Sequence, residues 1–198
     1  MSKKNIMTSN DLLGKLRKDL LAIIDAAREF ESLPESDLNW KERPKKWSIL
    51  ECLEHLNRYS NYYHAEIKKA IARATTTSHN VNHEVKSTWM GKKFIAMMHP
   101  ENTTKQKTFA RMNPIEGSLK KEVIFRFLGN QQELAAILED ASKVDLNKAS
   151  IPVEFLKILR MNLGDALQFV VVHEQRHIKQ ANALKSNIKT LLNPTLKI

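Results

Sequence analysis

Two histidines, His173 and His177, lie four residues apart in a stretch whose residue types can bind a metal ion. On a helix this spacing places both imidazoles on one face, close enough to share one ion. The apolar residues around them recur with helical periodicity, and both histidines fall inside the apolar stripe. Two neutral imidazoles in a dry interior need polar partners, and one metal ion would serve both. A hydrogen-bonded pair of core histidines is the alternative interpretation.

The segment from His173 to His177 also matches H-E-x-x-H, the zinc-protease pattern in which Glu174 would be the general base. Those enzymes need a third ligand, and no Asp, Glu, His or Cys follows His177 in this chain. The protease interpretation is therefore disfavoured, and a third ligand is expected upstream. His55 is the best candidate because it flanks the apolar stripe of another predicted helix. Three imidazoles with further positions open are typical of a catalytic metal site.

Other residues near these histidines are weaker candidates. Glu174 is predicted to act as a general base or as a partner of a ligand, or else to point away from the ligand face. The only cysteine, Cys52, is expected to be a small buried apolar residue rather than a catalytic thiol. Tyr59 could reach the site with its hydroxyl, although core packing is favoured. The remaining histidines are interpreted as surface residues: His64, His79, His83 and His99.

The spacing of apolar positions predicts four long helices that must position these side chains. They are expected near residues 12–27, 49–74, 118–141 and 164–192. Ser9 to Asp11 should cap the first helix, Ser48 and Glu51 form a capping box for the second, and Ser118 should cap the third.

The connections between these helices differ in character. Residues 75–117 form a long connection, with a short helix near 88–98 and an extended run near 103–113. The aromatic and methionine side chains of the short helix, from Trp89 to Met98, are expected to pack beneath it. Residues 143–162 are predicted to be a connection containing a short apolar piece. The fold class is therefore all-α, a four-helix bundle with a long crossover between helices 2 and 3.

Composition limits the classes of protein that fit. The chain has 198 residues, 42% hydrophobic, with only 5 Gly and 6 Pro, which favours one helical domain. We expect a flexible N-terminus over residues 1–9 and a single domain over 10–198. No apolar run is long enough for a membrane span, and no signal peptide is evident, so a cytoplasmic protein is expected. The net charge of +10 is interpreted mainly as a solvated lysine-rich surface.

Two stretches together resemble the DinB/YfiT-like superfamily of metal-dependent enzymes. The first is W-S-I-L-E-C-L-E-H-L over residues 47–56, which resembles the start of the family's second helix. The second is L-G-D-A-L over 163–167 followed by H-E-Q-R-H-I-K-Q over 173–180, which resembles its last helix. Their order and separation also match, so the resemblance covers roughly residues 10–190.

The resemblance implies a fold, a site and a chemistry. It implies the four-helix bundle and a divalent metal, zinc or nickel, held by His55, His173 and His177 with the rest of the coordination shell open. Family members often form homodimers. Characterised relatives include transferases and isomerases that use low-molecular-weight thiols such as bacillithiol or mycothiol. We therefore expect an enzyme that transfers a small-molecule thiol to an electrophilic substrate, or a related hydrolase or isomerase. No membrane partner is expected.

An alternative from another class is a non-enzymatic binding module. The crossover is rich in lysine and arginine, and Trp89 and Phe94 lie among these cations. Such a surface could bind an acidic partner or nucleic acid. Aromatic residues make up only 7% of the chain and no nucleic-acid motif is recognisable, so nucleic acid is the less favoured partner.

Overall fold

The computed structural model describes residues 6–74, 82–105, 107–114, 117–154 and 156–192. In these ranges six α-helices, one 3₁₀ turn and one short hairpin are observed. The helices are α1 (Ser9–Arg28), α2 (Glu35–Leu38), α3 (Ile49–Ala74), α4 (Trp89–Met98), α5 (Glu122–Ala141) and α6 (Leu163–Leu192). The 3₁₀ turn is Ala110–Met112, and the strands are β1 (Ser150–Val153) and β2 (Leu156–Asn162).

The four long helices α1, α3, α5 and α6 form the bundle that the periodicity predicts. Each packs against two neighbours, in the ring order α1, α5, α3, α6. Their apolar stripes meet in one continuous core that includes Leu16, Leu53, Phe127 and Ala166. The two helices that carry the histidines, α3 and α6, are therefore adjacent. The predicted all-α four-helix bundle is confirmed.

The predicted helix ends agree closely with α3 and α6 and are less accurate at the starts of α1 and α5. Ser48 and Glu51 form the expected capping box, with Glu51 N–H donating to Ser48 Oγ at 3.2 Å and Ser48 N–H donating to Glu51 Oε2 at 2.9 Å. For α1 the cap is Thr8, which forms a capping box with Asp11. The predicted cap of α5 at Ser118 is wrong, because α5 begins at Glu122 without a side-chain cap. Residues 1–5 of the predicted flexible N-terminus lie outside the described residues.

The crossover contains α4, close to the predicted position, and α4 packs along α6. Its start is fixed by Asp165 in the first turn of α6, which accepts hydrogen bonds from Ser87 Oγ and from both N–H and Oγ1 of Thr88. Its end is fixed by Arg176, whose guanidinium donates to four backbone carbonyls: those of Met97, His99, Asn102 and Thr104. The predicted extended run near 103–113 ends instead in the 3₁₀ turn.

The segment before α6 is a β-hairpin, where the sequence predicted only a connection. β1 and β2 pair antiparallel, with Ser150 opposite Asn162, and β2 leads directly into α6. Both strands are short, and Pro152 lies within β1, so the alternation that identifies a strand is weak. The hairpin packs on α3 and on the start of α6. It therefore covers one end of the bundle near the histidine helices.

Candidate metal centre

The three predicted ligands lie together between α3 and α6. His55 Nε2 is 3.2 Å from His173 Nε2, and His177 Nε2 is 3.1 Å from the same atom. One ligand atom from each residue lies within 4.8 Å of the others. Among the residues that the structure describes, this is the one group of three or more histidine, cysteine or acidic side chains placed to hold a metal ion.

Two of the rings have their orientation fixed through the other nitrogen. His55 Nδ1–H donates to the backbone carbonyl of Met112 at 2.7 Å, and His177 Nδ1–H donates to Gln180 Oε1 at 3.1 Å. These acceptors hold the proton on Nδ1 and leave the Nε2 lone pair available. Metal-binding histidines typically have such an arrangement, because the acceptor sets the tautomer and raises the basicity of the ligand nitrogen.

Burial keeps the imidazoles in the neutral form that binds metals. His55, His173 and His177 are 2%, 3% and 8% exposed. Burial lowers the pKa of His55 to about 4, although its hydrogen bond to Met112 opposes the shift. Burial first, and then the neighbouring histidines, hold the pKa of His173 well below its ordinary value. Burial and then His55 lower the pKa of His177 in the same way, although its hydrogen bond to Gln180 opposes the shift. All three rings are neutral at pH 7, the state required of a ligand.

This donor set fits a divalent cation. In a metal site each ligand nitrogen lies about 2.0–2.1 Å from the ion. If the nitrogen–metal–nitrogen angle is between a right angle and the tetrahedral angle, the two nitrogens lie roughly 2.9–3.4 Å apart. The observed Nε2 separations of 3.1 and 3.2 Å fall in that range. Without an ion, the only Nε2–H available among the three rings is that of His173, which can serve the lone pair of His55 or of His177, so at least one buried lone pair would stay unpaired, which is costly. His55, His173 and His177 would hold the ion, and three protein ligands leave positions for other molecules.

Aromatic side chains surround the three imidazoles. The Trp47 ring lies 4.6 Å from the His55 ring and 5.4 Å from the His177 ring, measured between centroids. Tyr59 contacts His55 and His173 at 4.8 and 4.6 Å. These rings restrict the motion of the ligands and exclude water from two sides. Trp47 was not predicted as a site residue, because its place before a capping box carries no sign of the ligand cluster.

Glu174 lies behind the ligands and contacts α5. Its Oε1 accepts a hydrogen bond from Gln131 Nε2 at 3.1 Å, and its Oε2 has no hydrogen-bond partner within the described part of the chain. The side chain is 2% exposed, and burial raises the pKa of Glu174 to about 8. Together with Tyr59 and His173 it lines a small cavity of about 10 Å³. Gln131 thus gives Glu174 one hydrogen-bond partner inside the bundle. A role of Glu174 in catalysis stays a prediction.

The other residues singled out from the sequence have varied surroundings. Cys52 is fully buried, and burial raises the pKa of its thiol above the ordinary range, as expected of an apolar core residue. The surface interpretation of His64 is wrong, because His64 is 2% exposed and its Nδ1–H donates to Glu133 Oε2 at 3.0 Å. His83 is partly buried and accepts from the Leu146 N–H, whereas His99 is exposed. His79 lies outside the described residues.

Trp89 also departs from the prediction. It is 77% exposed at the start of α4, with the Lys93 ammonium 5.2 Å from its ring centroid. Phe94 and Met98 on the same helix do pack against the core. The underside of the crossover is therefore formed by the later part of α4, and Trp89 stands on the outer surface.

Comparison with known proteins places the chain in a family. The sequence model of the DinB superfamily matches residues 15–181, which include all three histidines. No curated protein and no solved structure matches the chain. None of the described helices combines the length and the apolar character needed to cross a bilayer. The match extends over most of the sequence and agrees with the bundle and the three-histidine site, so the chain belongs to the DinB superfamily.

Proposed function

We propose that this protein is a divalent-metal-dependent enzyme that transfers a low-molecular-weight thiol to a small electrophile. The observation that carries the proposal is the convergence of three buried, neutral imidazoles, two of them fixed by Nδ1–H hydrogen bonds, through their Nε2 atoms. Three protein ligands favour a catalytic site over a closed structural one. Zinc and nickel are the proposed metals, because both bind imidazole nitrogen well.

The proposed chemistry joins the thiol sulfur to an electrophilic carbon. A bound divalent cation would lower the pKa of a thiol beside it, so that a thiolate is present near neutral pH. A carbon–sulfur bond forms, the bond to the leaving group breaks with its electron pair, and the thiol proton passes to a base. Trp47 and Tyr59 hold the imidazoles and keep water from two sides of the site.

The substrates are proposed to approach from the side of His177, the most exposed of the three ligands at 8%. The crossover passes this region. Arg176 on α6 binds the carbonyl of Thr104 at 3.0 Å, and His55 on α3 binds that of Met112 at 2.7 Å. The exposed side chains of Lys105 and Lys107 lie on the chain between these two anchor points. They are proposed to attract an anionic group of the thiol.

Glu174 is the proposed proton acceptor, since a carboxyl with a pKa of about 8 is suited to general acid–base work near neutral pH. Its burial against Gln131 favours a structural role. The Glu174→Gln variant keeps the size of the side chain and removes the base. A loss of turnover of about 100-fold or more would support the catalytic role, and wild-type turnover with normal metal content would leave only the structural one.

Metal content is the first test of the proposal. Protein purified without a histidine tag should contain about one divalent ion per chain, measured by elemental analysis. His55→Ala should lose that ion, because the two remaining ligands come from α6 alone. His99→Ala is a matched control, since His99 is exposed at the far end of α4. A His55→Ala protein that retains a full equivalent of metal would show that the three-histidine site is wrong.

Turnover is the second test. A model electrophile and a panel of low-molecular-weight thiols should give product at a rate that chelation abolishes and added zinc or nickel restores. Turnover that survives complete removal of the metal would contradict the mechanism. A homodimer is also proposed, and light scattering on the purified protein would measure its mass against the chain mass of 22.8 kDa.

A binding module is the second candidate, favoured by the exposed face of the crossover. Trp89 is 77% exposed beside Lys93, and Phe109 is 47% exposed between Lys107 and Arg111 in the sequence. Such a surface could stack bases and bind phosphates. Titration of single-stranded nucleic acid at increasing salt would discriminate the two functions. If binding is still measurable at moderate salt and the affinity falls steeply as the salt concentration rises, the binding module is favoured over the enzyme.

A further inference from the structure

The acceptor that fixes His55 comes from the crossover, not from the bundle. Met112 is the last residue of the 3₁₀ turn Ala110–Met112, and its carbonyl accepts the Nδ1–H of His55 at 2.7 Å. The Met112 side chain is 6% exposed and packs into the protein. The position of this one carbonyl therefore depends on how the end of the crossover is held against α3.

Arg58 holds the backbone on both sides of that carbonyl. It lies one helical turn after His55 on α3, so the two side chains project from the same region of the helix. Its Nη1 donates to the Asn113 carbonyl at 2.8 Å and to the Arg111 carbonyl at 3.4 Å. These two residues flank Met112 in the chain. Arg58 thus binds the backbone immediately before and immediately after the acceptor of His55.

Arg58 is itself held in place by a carboxylate. Its Nε donates to Glu54 Oε1 at 3.3 Å, and Glu54 Oε2 accepts from Arg126 of α5 at 2.7 Å. The side chains of Arg58 and Glu54 are only 21% and 13% exposed, so solvent screens this arrangement less than a surface ion pair. A planar guanidinium with several donors suits such a position, where one group must bind a carboxylate and backbone oxygens together.

We propose that Arg58 is a positioning residue of the metal centre. It orients the Ala110–Met112 turn so that the Met112 carbonyl fixes the Nδ1–H tautomer of His55 and leaves Nε2 for the metal. The inference rests on the metal site of the proposed function and does not depend on the thiol chemistry. Loss of a group that orients a ligand typically weakens metal affinity 10–100-fold.

The experiment measures zinc affinity by competition with a chromophoric chelator. Arg58→Met removes the donors and keeps the length of the side chain, and it is expected to bind zinc about 10–100-fold more weakly than the wild type. Arg58→Lys retains a donor and should recover part of the loss. Arg17→Met is the matched control, because Arg17 also binds a backbone carbonyl and a carboxylate, those of Leu138 and Glu139, on α5. Its zinc affinity should equal that of the wild type.

A second measurement separates positioning from general destabilisation. ¹⁵N NMR of the metal-free protein should show His55 protonated at Nδ1 in the wild type and a mixed or exchanging signal in Arg58→Met. If Arg58→Met does not fold, Glu54→Gln weakens the orientation of Arg58 and should lower zinc affinity by a smaller factor. Folded Arg58→Met or Glu54→Gln protein with wild-type zinc affinity would overturn the inference, as would an equal loss in Arg17→Met. Failure of the wild type to bind zinc or nickel would instead refute the proposed function.

Discussion

Gly91 in the first turn of α4 is expected to be intolerant of even one methyl group. A Cβ atom added there would lie 2.7 Å from Cβ of Asp165 and closer still to its carboxylate. Asp165 is fully buried and accepts hydrogen bonds from Ser87 and twice from Thr88, all at the start of the crossover. The Gly91→Ala variant must therefore displace either this carboxylate or the whole start of α4.

The size of the effect follows from what is displaced. Hydrogen bonds to a charged group contribute about 1.5–3 kcal/mol each, and an overpacked site costs about 1–3 kcal/mol. Alanine is a better helix former than glycine by about 1 kcal/mol, which offsets part of the loss. If one bond to Asp165 is broken, the free energy of unfolding should fall by about 1.5–5 kcal/mol. In a protein of this length that lowers Tm by roughly 3–20 °C.

Two other glycines are matched controls for this measurement. Gly14 in α1 and Gly129 in α5 have no atom within 4 Å of an added Cβ. Gly14→Ala and Gly129→Ala should each raise the free energy of unfolding by about 0.5–1 kcal/mol through helix propensity alone. Urea denaturation followed by circular dichroism compares all three variants. A Gly91→Ala protein as stable as the two controls would show that α4 does not approach Asp165 closely, and that this attachment of the crossover is wrong.

Three further outcomes are expected. Gln180→Ala should weaken zinc affinity about 10–100-fold because His177 loses its Nδ1–H acceptor, whereas Gln168→Ala, near the start of α6, should not change it. Burial lowers the pKa of His64, so below pH about 6.5 the unfolded state binds the additional proton and stability declines as the pH falls. In urea titrations the free energy of unfolding should differ less between about pH 7.5 and pH 5.5 in His64→Gln than in the wild type. An equal difference in the two proteins would contradict the buried, neutral state of His64. Cys52 is buried and should react with a thiol reagent only after unfolding, so rapid reaction in the native state would refute its placement.

The sequence predicted these three histidines as candidate ligands because two simple periodicities coincide. His173 and His177 are one turn apart within an apolar stripe, and His55 flanks a second stripe that begins at a recognisable capping box. A histidine placed among core residues on two helices has few ways to satisfy its polar atoms. That the two helices are neighbours, with α1 and α5 on the opposite side, does not follow from periodicity. It depends on how the crossover runs.

Most features that the sequence did not predict depend on specific contacts that leave no pattern in the sequence. Met112 and Gln180 accept the Nδ1–H bonds, yet a backbone carbonyl in a long connection has no sequence signature. The hairpin before α6 is too short for a clear alternating pattern. Nothing in the sequence around His64 identifies a partner for it, and only the packing of α3 on α5 reveals that Glu133 accepts its Nδ1–H. The deciding partners of His55 and His64 are 57 and 69 residues away in the sequence, whereas Gln180 is three residues after His177 and only the ring orientation shows that it accepts.

Glu174 shows how the same five residues can support different chemistry. In the H-E-x-x-H pattern the glutamate is expected to serve the metal, and helical geometry places it about 100° around the axis from His173. In this bundle α3 lies on one side of α6 and supplies His55. The rest of the buried surface of α6 faces the other helices. Glu174 meets Gln131 of α5 there, which donates to its Oε1, while its Oε2 has no hydrogen-bond partner among the described residues. The helix that supplies the third histidine therefore decides which way the glutamate points. When that ligand comes from a neighbouring helix, the ligand face points toward it and the glutamate turns into the core.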